Sequence, residues 1–257
     1  MTLMKTKRSL IVDADSIAFR AAAAVQKGIR WDDDTFTSHA DFGEAKVAFL
    51  DLVDGLRRSV DDGADVHLAF SCLSRRYFRH DILPTYKGNR TGAPPPLCYR
   101  DLREWAVEHG DGKLGFFSRV KPRLEADDVV GILATAKKLV DGEKIIVSVD
   151  KDLQQIPGLH WAPQEGVYRV SPEHAERVLW TQVLTGDQVD NYTGIPGIGP
   201  AKAKKILDAD EPYEDSVLKA YLKAGLTRED LVIQYNVARI LQAKDYDFKL
   251  KEPKLWK

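Results

Sequence analysis

The 257-residue chain is predicted to be an α/β protein, with a mostly parallel central sheet flanked by helices and a helical C-terminal region. Three observations predict this. Short β-branched runs alternate with helical segments as far as residue 150, the pattern of a parallel sheet covered on both faces. The pattern turns helical after residue 170. Acidic residues directly follow two of the β-branched runs, and in open parallel sheets functional groups gather beyond the carboxyl ends of the strands.

The elements follow in order. "RSLIVDAD" (8–15) reads as a strand ending in acid, and "SIAFRAAAAVQK" behind it as a helix that packs back on it. "DFGEAKVAFLDLVDGLRRSV" (41–60) carries Val47, Leu50, Val53, Leu56 and Val60 at helical spacing, Gly63 stops it, and "DVHLAFS" supplies a second strand. "KLGFFSRV" and "EKIIVSVD" are further strands, separated by the helix "EADDVVGILATAKKLV". "LHWAPQEGVYRVS" is a hairpin around Glu165 and Gly166, and from Pro172 the chain is helical, including "TREDLVIQYNVARILQAK". A division near residue 170 separates an α/β part, 1–170, from a helical part, 171–257. "GNRTGAPPPL" (88–97) is a Gly/Pro-rich loop or strap.

Composition narrows the class. At 44% hydrophobic and 30% charged residues the chain can fold around a core. Its net charge of −1 announces no polyanionic partner, so any such partner must be read from local charge. Between Ser74 and Arg103 there are seven Arg or Lys against two Asp, and from Gly194 to Ile206 three Lys and no acid. Cys72 and Cys98 form no CxxC, which excludes a disulfide framework and a thiolate zinc site and makes a reduced cytoplasm the default. No apolar stretch approaches a membrane span, and the basic tip of "MTLMKTKRSLIVDAD" precedes an apolar run too short for secretion.

Four acidic motifs carry the chemistry. Asp13 ends the first strand; Glu125, Asp127 and Asp128 open a helix; Asp150 and Asp152 follow "IIVSV"; Asp187 and Asp190 lie in "GDQVDN". Glu125 and Asp128, three apart, share a helix face, as do Asp187 and Asp190. A helix start favours an anion by ~0.3–1 kcal/mol, which covers "EADD" alone but not acids placed straight after buried strands. Gathering this many carboxylates at one end of a sheet is unfavourable unless some are protonated or divalent cations neutralise them. Oxygen-only ligands select Mg²⁺ or Mn²⁺, and a pair of such ions ~3.5–4 Å apart is the usual apparatus for hydrolysing a phosphodiester.

"VDADS", "RRYFRHDILPTYKGNR", "LEADDVVG", "VSVDKDLQQI" and "GDQVDNYTGIPGIGPAKAKKIL" occur in the order and rough spacing of flap endonuclease-like 5′ nucleases. The chain most resembles the stand-alone 5′→3′ exonuclease form of short-tailed bacteriophages, from about residue 8 to about 210. The resemblance implies a PIN/5′-nuclease-like domain binding two Mg²⁺ (or Mn²⁺), with Asp13, Glu125 and Asp127 around the first ion and Asp127, Asp150, Asp152 and Asp190 around the second. Asp128 and Asp187 then orient waters or ligands from behind. The family usually places another Asp after the Phe of the second strand; here Ser71 and Cys72 follow Phe70, a poor substitute on Mg²⁺.

Within the basic strap (about 74–103), Tyr86, Lys87 and Arg90 match the family's arch helix. Preplaced cations there would stabilise a phosphoryl group gaining charge. A helix would aim Lys87 and Arg90 the same way; the alternative is a solvated basic helix. Arg76 and Arg79 are candidates for DNA contact, and Tyr77, Phe78 and Tyr86 are either core or stacking platforms for a base. "GIPGIGPAKAKKIL" matches a helix-hairpin-helix (helix-three-turn-helix, about 186–208). Gly194, Gly197 and Gly199 allow backbone amides to approach phosphates, with Lys202 and Lys205 behind the turn. In the family this hairpin holds a K⁺ ion. The six histidines are scattered.

The resulting expectation is a metal-dependent 5′→3′ exonuclease or flap endonuclease with Lys87, Arg90, Asp127 and Asp150 as catalytic residues. It would act on double-stranded DNA with 5′ ends, nicks or flaps and leave 5′-phosphate and 3′-hydroxyl. It would be a monomer away from membranes, in the host cytoplasm beside replication proteins, serving phage replication, recombination or host DNA degradation. Two rivals stand: removal of RNA from RNA·DNA hybrids by the same site, and a non-catalytic structure-specific DNA-binding protein.

Overall fold

A computed structural model describes residues 7–90 and 92–257. Residues 1–6 of the N-terminal tip and Thr91 of the strap lie outside the described residues. In chain order the α/β part comprises β1 (Arg8–Asp13), α1 (Ala14–Val25), β2 (Lys27–Arg30), β3 (Phe36–His39), α2 (Phe42–Val60), β4 (Asp65–Phe70), α3 (Arg79–Ile82), α4 (Tyr99–His109), β5 (Phe117–Val120), α5 (Ala126–Thr135), β6 (Glu143–Val147), β7 (Gly158–Ala162) and β8 (Gly166–Val170). The helical part comprises α6 (Pro172–Thr185), α7 (Pro200–Leu207), α8 (Tyr213–Lys223) and α9 (Arg228–Ala238).

The central sheet has the order β5-β4-β1-β6-β7-β8. All pairs are parallel except β7 with β8, the hairpin expected around Glu165 and Gly166. Alternation along the strands fills both faces. Leu10, Val12, Val66, Leu68 and Phe70 pack with α1, α2 and α4, whereas Ile11, Ala69 and Ile146 pack with α5. A third cluster joins α6–α9 to Cys72, Tyr77 and Tyr86. Because β1 is central and the order reverses on its two sides, its carboxyl end opens onto a crevice where crossovers part.

Several expectations are corrected. In α2 the buried stripe is Ala45, Phe49 and Val53, while Val47 is exposed. The helix opened by Glu125 stops at Thr135, whose hydroxyl bonds back to the Gly131 carbonyl and accepts the Ala243 amide. The last helix ends at Ala238. The chain then runs extended and buried onto α5, where the Ile240 amide donates to Gln155 Oε1 (3.0 Å) and the Leu241 amide to Asp128 Oδ1 (3.1 Å). These side-chain acceptors satisfy buried amides that have left the helix ladder. The division near 170 falls at the end of β8, and segment 240–246 packs back across it. The exposed hairpin β2–β3 lies outside the elements expected from the sequence.

Gly131 marks where that returning segment touches α5: a Cβ there would lie 2.3 Å from the Leu241 carbonyl. Helix propensity alone would have Gly131→Ala stabilise the protein by ~1 kcal/mol. The packing predicts the opposite, a loss of about 1–3 kcal/mol, seen as a lowered melting temperature; a raised one would contradict this contact.

Candidate active site

The site is built from turns at one end of the sheet. Asp13 caps α1, its Oδ1 accepting the Asp15 amide (3.0 Å). Glu125 caps α5 and Asp127 lies in its first turn. Asp150 caps the 3₁₀ turn Lys151–Gln155, its Oδ1 accepting the Asp152 amide (2.8 Å). Asp13 and Asp150 are thereby fixed by the backbone they start.

The turns lie close together: Glu125, Asp127, Asp152 and Asp190 line one cavity, and Asp13 and Asp150 are near enough to act on Asp127 electrostatically. Burial, then Asp15 and Asp150, pushes Asp13 up to about 7. Burial, then Asp13, Glu125 and Asp150, raises Asp127 well above the carboxylate range. Burial, then Asp150, Asp187 and Asp190, raises Asp152 to about 6. Ionising this group together is costly without added positive charge.

Much of that charge comes from the strap. Lys87 Nζ is bonded to Glu125 and lies 3.4 Å from Asp190; Arg90 Nη2 donates to Asp190 Oδ1 at 2.6 Å. Tyr86 Oη is 2.9 Å from both Glu125 Oε2 and Asp190 Oδ2. The backbone adds a latch: the Lys87 amide donates to the Asp190 carbonyl (2.9 Å), Asn89 Nδ2 to the Gln188 carbonyl (2.6 Å) and Asn191 Nδ2 to the Thr85 carbonyl (2.7 Å). Lys87 and Arg90 do not share a helix, since residues 84–89 form turns and Lys87 has φ +56°. They reach one target because the turn folds them onto Asp190.

The structure corrects some of these placements and decides between alternatives at others. Arg79, expected at DNA, is 3% exposed and fully engaged. It binds both Asp128 oxygens (2.7 and 2.8 Å), Glu125 (2.9 Å) and the carbonyls of Val237 and Arg239, so it organises the core behind the acids. Asp128, with no exposed surface, also accepts the Glu125 and Leu241 amides and has no face left for an ion. Asp187 and Asp190 lie in a turn, where Asp187 Oδ1 accepts the Val189 and Asp190 amides. Tyr86 is buried and is no stacking platform; Arg76 is exposed beside Asp81.

Among the described residues, no three His, Cys, Asp or Glu side chains stand as a closed ligand set. Glu125, Asp128 and Asp190 are instead drawn to Lys87, Arg79 and Arg90. The chemistry of the carboxylates nevertheless fits a hard divalent ion, for the donors are all oxygen and their burial without enough positive charge leaves Asp13 and Asp127 strained toward neutrality.

Beside the acids a cleft of about 380 Å³, lined by Lys151, Asp152, His174, Arg177, Asp187 and Pro200, leads to the glycine turns between α6 and α7. Gly194 is buried, and a Cβ there would meet Gly186 N at 2.4 Å, so it serves packing and not phosphate contact. Gly197, with φ +77°, and Gly199 face open space. Lys202 and Lys205 are exposed, and Lys202 Nζ donates to the Gly197 carbonyl (2.9 Å). Sequence reasoning missed Arg103, a buried cation bound to Asp15. The available signal was a charge on the apolar stripe of α4, between Leu102 and Ala106.

Residues 8–172 match the family described as 5′-3′ exonuclease, N-terminal resolvase-like domain. The chain is 27% identical to the exodeoxyribonuclease of Enterobacteria phage T3, covering 97% of this chain and 93% of the relative. It is also 27% identical to the exonuclease of Escherichia phage T7, covering 98% and 94%. In fold it is similar to the bacteriophage T5 D15 protein co-crystallised with metal ions, with TM-score 0.55, 19% identity, and 90% and 89% of the two chains covered. With most of its length matched and the acidic turns at the carboxyl ends of a parallel sheet, the chain belongs to the 5′-3′ exonuclease family.

Proposed function

We propose that the chain is a metal-dependent 5′→3′ exonuclease and flap endonuclease acting on duplex DNA. The observation that carries this is the gathering of Asp13, Glu125, Asp127, Asp150, Asp152 and Asp190 at one end of the sheet, where Glu125, Asp127, Asp152 and Asp190 line one cavity and burial with mutual repulsion raises Asp13, Asp127 and Asp152. The full-length phage relatives named exodeoxyribonuclease and exonuclease support the reading, as does the T5 D15 flap endonuclease complex with DNA and metal ions, at TM-score 0.54.

Those six carboxylates would hold two divalent ions, Mg²⁺ or Mn²⁺. When bound, such ions supply an activated water and stabilise charge on the phosphoryl oxygens. The chain's own residues do the rest. Lys87 and Arg90, on a turn latched to 188–191, are held at the rim of the pocket, where a scissile phosphate can take over their charge from Glu125 and Asp190. Asp128 and Arg79 lock Glu125 and the first turn of α5. The cleft toward Gly197 and Gly199 gives a duplex a path from the acids to the open amides, flanked by Lys202 and Lys205. Contacts of this kind read backbone and not sequence. Attack by water with the 3′-oxygen as leaving group leaves a 5′-phosphate and a 3′-hydroxyl. A K⁺ ion at the hairpin would have to take the Gly197 carbonyl from Lys202. No helix among the described residues is long and apolar enough to cross a membrane, and the substrate puts the enzyme's work in the compartment that holds DNA.

Three predictions follow from this geometry. Asp127→Asn is expected to abolish single-turnover cleavage of a 5′-flap duplex while duplex binding in EDTA persists. Lys87→Met should slow cleavage by ~10²–10³-fold yet bind Mn²⁺ more tightly, because a competing cation has left Glu125; turnover by the first variant, or weaker Mn²⁺ binding by the second, would contradict the assignment. The pair Lys202→Ala and Lys205→Ala should flatten the salt dependence of duplex binding by about 2 in log–log slope, with the rate at saturating DNA unchanged. An unchanged slope would remove the hairpin from the interface.

A further inference from the structure

Behind the acids lies a buried cation that the reading above does not use. Arg103 comes from α4, the first helix after the strap, and is 3% exposed. Its Nε donates to Asp15 Oδ1 (2.8 Å) and its Nη2 to the Ser71 carbonyl (2.7 Å), and its guanidinium carbon lies 5.6 Å from the Tyr99 ring centroid. The other Asp15 oxygen accepts the Ser71 amide (3.3 Å). Arg103, Asp15 and Ser71 therefore close a ring.

Two short hydrogen-bond paths leave this ring. One runs through the Asp15 amide to Asp13 Oδ1 (3.0 Å). The other runs through Ser71 Oγ, which accepts the Ala126 amide (2.9 Å) between Glu125 and Asp127. One guanidinium thus ties together the two turns that carry Asp13 and Asp127. The planar fork of arginine suits this task, since it binds a carboxylate and a carbonyl at fixed angles, which a lysine cannot reproduce. Ser71 stands where the family resemblance places an acid, and in this chain its hydroxyl caps α5.

We propose that Arg103 is a positioning residue of the acidic site, acting through Asp15 on Asp13 and through Ser71 on the Glu125–Asp127 turn. The inference rests on the nuclease reading, and its effect is on how well the carboxylates are set to take up divalent ions.

The test uses the full chain stripped with EDTA. Mn²⁺ is titrated in by electron paramagnetic resonance, with thermal melting and duplex binding in EDTA measured alongside. Arg103→Met is expected to weaken Mn²⁺ binding by about tenfold or more, the usual effect of losing a partner behind a metal ligand. Arg103→Lys, which keeps the charge without the fork, and Ser71→Ala, which removes one path, should each weaken it to a smaller extent, with duplex binding in EDTA unchanged. If Arg103→Met does not fold, these two milder variants decide. Folded variants that bind Mn²⁺ as well as or better than the unaltered chain would overturn the proposal, as would a loss confined to DNA binding in EDTA. If the unaltered chain took up no Mn²⁺, the metal reading itself would fall, and this inference with it.

Discussion

Repulsion between carboxylates held at the carboxyl edge of the sheet is the constraint around which the rest of the structure is arranged. Backbone caps fix Asp13 and Asp150, and burial of Glu125 with partial burial of Asp13 and Asp127 removes much of the water that would screen them. Positive charge must therefore come to them. Arg79 supplies it permanently to Asp128 and Glu125, Arg103 supplies it to Asp15, and Lys87 and Arg90 supply it from a half-exposed turn.

These cations differ in how firmly they are held. Arg79 is enclosed by α5, α9 and the returning segment, with every donor group used, and removing it would strand a buried carboxylate. Lys87 and Arg90 sit at the mouth of the pocket, and their ion-pair partners are carboxylates that other cations could take. On the proposed function the permanent cations serve architecture, whereas the exchangeable ones serve chemistry. That difference explains why two arginines eleven residues apart, Arg79 and Arg90, have unrelated roles despite lying in one basic stretch.

Much of this was legible in the sequence. Strand and helix order followed from β-branched runs and helical spacing, and the placement of Asp13 and Asp150 followed from the rule that parallel strands end at the functional edge. What was not legible depended on burial. Nothing in "RRYFRHDILPTYKGNR" distinguishes the enclosed Arg79 from the exposed Arg76, because the difference is made by segment 237–241, more than a hundred and fifty residues away. Likewise the end of α9 at Ala238 depends on acceptors offered by Asp128 and Gln155, so local helix propensity carried the expected helix too far. Gly194 and Gly197 look alike in sequence and part only where Gly186 packs against one of them.

The central claim is that the repulsion among these acids is relieved by paired divalent ions that displace Lys87. Anomalous diffraction from crystals soaked in Mn²⁺ tests it most directly. The account predicts two manganese peaks among the carboxylates of Asp13, Glu125, Asp127, Asp150, Asp152 and Asp190, with Lys87 Nζ withdrawn from Glu125. Absence of manganese from that pocket, with Lys87 still bound to Glu125, would contradict it.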